Sequence, residues 1–283
     1  MKTVTGKQIA ATVEQLCLKA NFHLRSDVVR ALKKNMGKEK SARARNFLKI
    51  LLENARIARR KNLAICQDTG MVVVFVEIGQ DIRIRGNIEE AVNRGVSRAY
   101  RKGYLRKSIV SDPLIRENTG DNTPAVIHSR IVPGRKLRIS VLLKGFGSEN
   151  KSRLFMLNPT AGADEIKRKI VQAVWDAGAE ACPPFVLGIG IGGTCDVACM
   201  LAKEALLNPV GKPSRKKHIA KLEKEILKSV NRLNIGPFGL GGKTTALGVS
   251  ILDYPTHIAG LPVAVNINCH ALRSKVGTVT YLI

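Results

Sequence analysis

Six cysteines carry the first chemical signal in this chain: Cys17, Cys66, Cys182, Cys195, Cys199 and Cys269. No secretory leader is recognisable ahead of them, so packed thiols or metal ligands are expected rather than disulfides. Three stand apart from the rest. Cys66 precedes Gln67-Asp68-Thr69-Gly70, Cys182 precedes Pro183-Pro184, and Cys269 follows an apolar run and precedes His270-Ala271-Leu272-Arg273. Each ends an element beside polar or turn-forming residues, a poor place for a core filler and a good one for a ligand. They are too scattered for a compact ferredoxin-like motif, so the residues alone leave a shared metal site and three unrelated thiols both open. Cys17 lies on the apolar face of an expected helix and reads as a small core residue. Cys195 and Cys199 share a face at four-residue spacing. With no His or acid placed to complete a site, core packing is expected for both, and Cys195 is kept in reserve as a ligand because it directly follows a glycine loop.

That loop, Gly188-Ile-Gly190-Ile-Gly192-Gly193, fits the dinucleotide pattern G-x-G-x-x-G between an expected strand and helix. The acid required about 20 residues later is missing; Pro213-Ser214-Arg215-Lys216-Lys217 stands there instead. The glycines are therefore read as allowing backbone to approach a ligand, with amides offered to an anion at the helix start. A second segment, Gly236 to Thr244, resembles a phosphate loop but has Pro237 where the pattern needs glycine, and a basic helix rather than a strand precedes it. Lys243 on this loop remains an anion-binding candidate.

The elements that must position these residues follow from periodicity. Residues 7–61 carry helical spacing, with Ile9, Val13, Leu16 and Cys17 on one face and Val28, Val29 and Leu32 on another. Residues 71–78 are expected as a strand, 88–102 as a helix, 124–131 and 137–143 as strands, and 164–177 as a helix. Next come a strand at 185–191, a helix at 194–207, a basic helix at 214–233 with Ser214 as N-cap, and closing strands at 245–252 and 257–268. The expected fold is α+β (mixed α/β): an N-terminal helical region, then mixed sheets flanked by helices. No repeat, linker or composition break marks a boundary, so 1–283 is treated as one domain.

Bulk composition narrows the class. Hydrophobic residues make up 45% of the chain, the globular norm. No apolar run reaches the roughly 18 residues of a membrane span, and the N-terminus has no signal-type core, so a cytoplasmic location is expected. The outlier is charge: 47 Lys and Arg against 22 Asp and Glu give +25. Between Arg25 and Lys61, thirteen Lys or Arg face only Asp27, Glu39 and Glu53. Such a field suits nucleic acid, steering of an anionic substrate, or an acidic partner; a hot or saline habitat would also select for it. Aromatic residues at 4%, with one Trp and four Tyr, offer few stacking platforms. No nucleic-acid motif is present. A basic nucleic-acid-binding protein is therefore kept only as an alternative of another class.

Longer segments make the chain similar to a known family. Cys66-Gln-Asp-Thr-Gly70, Asp112-Pro-Leu-Ile-Arg116, Asn118 to His128, Lys144-Gly145-Phe146-Gly147-Ser148-Glu149-Asn150 and Asn158-Pro-Thr-Ala-Gly162 come first. Ala181-Cys182-Pro-Pro184, Gly190-Ile-Gly-Gly-Thr194, Gly239-Leu-Gly-Gly-Lys-Thr244 and Cys269-His-Ala-Leu-Arg273 follow. In this order they resemble the alpha subunit, or N-terminal domain, of the class I fumarase and tartrate dehydratase hydro-lyases. One departure is Phe146, where a small residue is expected between Gly145 and Gly147.

The resemblance implies a 4Fe-4S cluster held by Cys66, Cys182 and Cys269, with one iron open to substrate. It implies a fumarate hydratase alpha subunit, or alternatively an L-tartrate dehydratase alpha subunit. A dicarboxylate substrate calls for cations: Arg106 and Lys243 first, then Lys144, Arg116 and Arg273, with Gly145 beside them. For Arg116 and Arg273, salt bridges to local acids are an equal reading. Asp68 is expected to protonate or orient the departing hydroxide and Gln67 to hydrogen-bond a carboxylate; loop capping is the plainer role for Asp68. His128 is a weaker candidate with a credible structural role. No convincing base for the carbon-bound proton is found, so the resemblance implies a beta subunit that supplies it.

Overall fold

The computed structural model describes residues 2–280, and in it the N-terminal helical stretch resolves into three helices. In chain order the elements are β1 (Lys2–Thr5), α1 (Gly6–Phe22), α2 (Ser26–Lys38), α3 (Ala42–Lys61), β2 (Met71–Gly79), β3 (Ile82–Arg85) and α4 (Ile88–Lys102). β4 (Val126–Val132), β5 (Leu137–Lys144), α5 (Phe146–Glu149), β6 (Arg153–Leu157) and α6 (Ala163–Ala177) come next. The last are β7 (Phe185–Gly192), α7 (Cys195–Ala205), α8 (Lys217–Arg232), β8 (Ala246–Tyr254), β9 (Leu261–Asn268) and β10 (Arg273–Thr278). This is the mixed α and β architecture expected from the sequence. The chain divides into two compact units. Unit 1 comprises residues 1–25, 55–145 and 273–283, and unit 2 comprises 26–54 and 146–272.

Unit 1 is built on a four-stranded sheet in the order β10-β5-β2-β4. β2 pairs parallel to β4 and antiparallel to β5, with Met71 opposite Lys144. Alternation along the strands turns Val72, Val74 and Val76 of β2 and Leu137, Ile139, Val141 and Leu143 of β5 to one face. There they meet Ile9, Val13, Leu16 and Cys17 of α1 and Val92, Val96 and Tyr100 of α4. Each large aliphatic side chain buried this way contributes ~1.5–3 kcal/mol. α1 starts where it does because Thr5 and Gln8 form a capping box, the Thr5 hydroxyl accepting from the Gln8 amide at 3.4 Å and the Gln8 side chain accepting from the Thr5 amide at 2.8 Å. Asn87 caps α4 by accepting from the amides of Glu89 and Glu90.

Unit 2 carries a second four-stranded sheet, β6-β9-β7-β8, layered between helices. On one face Leu187, Ile189, Val263, Val265 and Ile267 pack with Ile166, Ile170 and Val174 of α6 and Ile226 and Val230 of α8. The opposite face receives α7, through Ala198 and Ala202 against Ala264. This resolves the glycine pattern of β7. A Cβ at Gly188 would lie 2.1 Å from the Ala202 carbonyl oxygen, and one at Gly190 would lie 2.0 Å from that of Ala198. The alternation in Leu187-Gly188-Ile189-Gly190 is therefore a two-faced strand, apolar toward α6 and α8 and bare toward α7. These glycines admit a helix, not the ligand expected from the sequence.

Two further expectations need correction. Ser214 does not cap α8: the cap is Lys216, and the Ser214 hydroxyl instead accepts from the Lys216 amide at 3.3 Å, just ahead of the helix. The closing strand expected from residue 257 begins at Leu261, because 255–260 form a turn in which Gly260 donates to the His257 carbonyl.

Candidate active site

In unit 1 the segment Cys66–Gly70 is an irregular connection between α3 and β2, fixed from several sides. The buried Tyr100 hydroxyl donates to the carbonyls of Thr69 and Gly70, both at 2.8 Å. The Thr69 hydroxyl donates to the Arg106 carbonyl at 2.7 Å. The Asn122 side-chain amide donates to the Gly70 carbonyl at 3.2 Å, while its oxygen accepts from the Ser108 amide at 2.8 Å. Burial raises the Tyr100 phenol above its ordinary value, so it stays protonated and remains a donor.

What this scaffold presents is a thiol, an amide and a carboxylate in three successive residues. The Cys66 thiol is partly exposed and donates weakly to the Gln67 side-chain oxygen at 3.3 Å. Gln67 is exposed and Asp68 half-buried. Asp68 accepts from the Gly70 amide through Oδ1 at 2.9 Å, the loop-capping role anticipated for it. Its backbone carbonyl accepts from Arg273 Nη1. Gly145 adjoins both: a Cβ there would lie 3.1 Å from Asp68 Oδ2 and 3.3 Å from Arg273 Nη2. Arg273 is 1% exposed, and its Nε has no hydrogen-bond partner among the described residues. A buried guanidinium edge left unmatched beside a residue with no side chain is a cradle for an added anion. Lys144, the next residue back, is equally buried.

Of the unit 1 residues singled out from sequence, the structure thus brings Asp68, Gly145 and Arg273 into one cluster and ties Arg106 to the same loop through its carbonyl. The Arg106 side chain is exposed. Arg116 is not part of this cluster: it is exposed, has φ +64°, and among the described residues its side chain reaches only the Pro113 carbonyl of its own turn, at 3.5 Å. Among the described residues neither Arg116 nor Arg273 makes the local salt bridge considered for it; each donates to a backbone carbonyl. His128 stacks on Phe75, its partner across β2 and β4, at 5.1 Å between ring centroids, a packing role.

In unit 2 three loops meet around Cys182. Its thiol is exposed, its φ is +55°, and its amide donates to the Ala179 carbonyl. The Cys182 carbonyl lies 3.2 Å from Nδ1 of His270, the residue after Cys269. Phe238 donates its amide to the Pro183 carbonyl, and its ring lies against both His270 and Phe47. Positions 182 and 269–270, far apart in sequence, are therefore neighbours. Cys269 is partly exposed.

Lys243 continues the Phe238 loop with its side chain exposed, but the loop already holds an anion of its own. The buried Glu39 accepts from the Lys243 amide at 2.9 Å and the Thr244 hydroxyl at 3.2 Å through Oε2, and from the amides of Lys40 and Ser41 through Oε1. Glu39, Tyr100 and Asn122 escaped the sequence reading. Glu39 alone had left a signal, as one of three acids in a strongly basic stretch.

The donor set distinguishes the cysteines. Cys66, Cys182 and Cys269 are reduced thiols at loop positions with exposed or partly exposed sulfur. Cys17 is fully buried, and burial pushes its thiol up to about 12, as expected of a core residue. Cys195 and Cys199 were expected in the core but are both exposed: they lie on the solvent side of α7, whose sheet-facing side is filled by Ala198 and Ala202. Among the described residues no three His, Cys, Asp or Glu side chains gather to ligate a single metal ion. A cubane makes a different demand, since each thiolate binds its own iron, and three loop thiolates of this kind suit it.

The chain matches the family model described as fumarate hydratase (fumerase) over residues 10–278. A Methanocaldococcus jannaschii protein provisionally named L(+)-tartrate dehydratase subunit alpha is 42% identical over 276 residues, covering 95% of this chain and 96% of that protein. The L(+)-tartrate dehydratase subunit alpha of Escherichia coli UTI89 is 30% identical over 250 residues, covering 87% of this chain and 82% of that one. No helix among the described residues is long and apolar enough to cross a membrane. With a match that runs through both compact units and nearly every residue between them, the chain belongs to the fumarate hydratase family and is a hydro-lyase.

Proposed function

We propose that this chain is the cluster-binding alpha subunit of a cytoplasmic two-subunit fumarate hydratase, acting as one hydro-lyase domain on a small dicarboxylate. The observation that carries the reading is the Cys66–Gly70 connection, with a reachable thiol and a carboxylate held against Gly145 and a buried Arg273. Cys66, Cys182 and Cys269 would hold a 4Fe-4S cluster. When bound, the cluster supplies a Lewis acid through an iron that has no protein ligand.

The remaining chemistry falls to the chain's own side chains. Arg273 offers its unmatched Nε edge to one substrate carboxylate, and Lys144 adds positive charge from the same buried region. Arg106 and Lys243, both exposed, are assigned to the other carboxylate, with Arg116 further out. Gly145 leaves room for the substrate where any side chain would meet Asp68 and Arg273. Asp68 Oδ2 gives its proton to the departing hydroxide and takes it back in hydration. Gln67 hydrogen-bonds a carboxylate oxygen. A beta subunit supplies the base for the carbon-bound proton.

A second reading, L-tartrate dehydratase, is favoured by the names of the relatives above. Both reactions remove water from a hydroxy-dicarboxylate, so the two differ in pocket shape rather than in chemistry. The test is anaerobic reconstitution with iron and sulfide in the presence of the beta subunit, followed by rates with malate, fumarate and L-tartrate. Turnover of malate and fumarate supports the first reading and turnover of tartrate alone the second. A reconstituted complex that binds iron and neither dehydrates malate or tartrate nor hydrates fumarate would defeat both.

A further inference from the structure

The hairpin made by α2 and the first part of α3 lies within unit 2, and its charges are sorted by depth. Two of its three acids are internal. Asp27 is buried and accepts from the Val210 amide at 2.7 Å, and Glu39 is the buried anchor of the Lys243 loop. The cations take the opposite position. Arg30, Lys33, Lys34 and Lys38 of α2 are exposed, as are Lys40, Arg43, Arg45 and Lys49 that follow. None of these side chains forms an ion pair or hydrogen bond among the described residues.

The placement is regular. Val28 and Leu32 define the buried side of α2, and Arg30, Lys33, Lys34 and Lys38 lie on the other side at three- and four-residue steps. Four residues of helix rise ~6 Å, so the cations form a row rather than a cloud. The connection between the helices is also rigidly held, because Glu39 receives hydrogen bonds from both its own loop and the loop at 243–244. Lys38, Lys40 and Arg43 therefore project from fixed backbone.

We propose that this face is a docking surface for the phosphate backbone of double-stranded nucleic acid, in addition to the hydro-lyase activity. Protein interfaces centre on apolar and aromatic anchors and are depleted of lysine. Among the described residues of the hairpin, Ile50, 49% exposed, is the one large apolar side chain open to solvent. Single strands need aromatic platforms on which bases stack, and the hairpin's only aromatic residue, Phe47, is already packed against Phe238. A row of unmatched Lys and Arg without either feature fits a regular line of phosphates read without regard to sequence. The sequence keeps nucleic acid only as an alternative because it lacks the motifs and the aromatic content, neither of which backbone binding requires.

The test measures binding of the full chain to a fluorescent 30-base-pair duplex by anisotropy, from 50 to 200 mM KCl. The logarithm of affinity should fall linearly with the logarithm of salt. Replacing Arg30, Lys33, Lys34 and Lys38 together by Ala should reduce the steepness by about 0.9 for each phosphate no longer neutralised, with unchanged circular dichroism. A control that removes Lys217, Lys221, Lys224 and Lys228 from α8 changes net charge equally and should leave most of the slope in place. Equal reductions in the two variants, or none in the first, would overturn the proposal. So would tighter binding of polyglutamate than of duplex, which would assign the face to an acidic protein instead.

Discussion

The guanidinium of Arg273 donates to the main-chain carbonyl of Asp68, joining two residues 205 positions apart. The bond places the first residue of β10 against the connection that carries Cys66, and it leaves Nε of the same guanidinium without a hydrogen-bond partner among the described residues while Nη2 borders Gly145. One side chain thus serves two ends: it fixes the backbone of the proposed proton donor and faces the space a carboxylate would fill. Arg273→Lys keeps the charge and loses the planar fork. Its kcat/KM should fall about 100-fold, near the cost of a charged hydrogen bond, and melting temperature should drop as well, as steady-state rates and calorimetry will show.

Asp68→Asn separates structure from proton transfer. The amide oxygen can still accept from the Gly70 amide, so the loop keeps its cap. Losing a general acid lowers kcat by about 10²–10⁴, with KM and iron content close to the parent. A variant that lost its iron would show Asp68 to be structural.

Iron and sulfide analysis should sort the cysteines. Ser at 66, 182 or 269 should each lower cluster content to a small fraction of the parent, whereas Ser at 195 or 199, both exposed on α7, should leave it unchanged. Full occupancy in Cys182→Ser would remove that residue from the ligand set.

Glu39→Ala leaves the amides of Lys40, Ser41 and Lys243 and the hydroxyl of Thr244 without their acceptor. Unmet buried donors cost about 1–3 kcal/mol each, and with water entering the gap a total near 3 kcal/mol is expected. Denaturant midpoints measure it. Glu39→Gln, which keeps an oxygen, should recover part of the loss.

Alkali should unfold the protein earlier than its surface charge would suggest. The Cys17 thiol rises from 9.0 to about 12 through burial, so between those values the unfolded chain gives up a proton that the folded chain keeps. Stability is fully present below pH 9 and falls by about 1.4 kcal/mol per pH unit from there toward pH 12. The buried Tyr100, shifted in the same direction, steepens the fall. Cys17→Ala should flatten the pH dependence of the denaturation midpoint by one proton.

Periodicity located most of the secondary structure, because α1, α4, α6 and the central strands each bury one regular face. β3 and β6 were missed: Ile82–Arg85 and Arg153–Leu157 alternate with charge or lie largely exposed, leaving too short an apolar signal. β10 was missed because Arg273 and Lys275 made it look like a polar loop, although Arg273 points inward to a carbonyl. At the site, residue types exposed the loop thiols and Asp68 at once. The supports of that loop were illegible, since Tyr100 reads as a helix core residue and Asn122 as a turn residue until the chain is folded. Cys195 and Cys199 misled because four-residue spacing defines a shared face without saying which way it turns.

The interleaving of the two units has a consequence during synthesis. Unit 2 has its last strand in hand once residue 272 leaves the ribosome, but unit 1, begun with the first residues, still lacks β10. The earlier-started half must wait, an open edge on β5 and an unclosed core, while the later one matures. A nonsense codon anywhere before position 273 therefore damages the half of the molecule translated first.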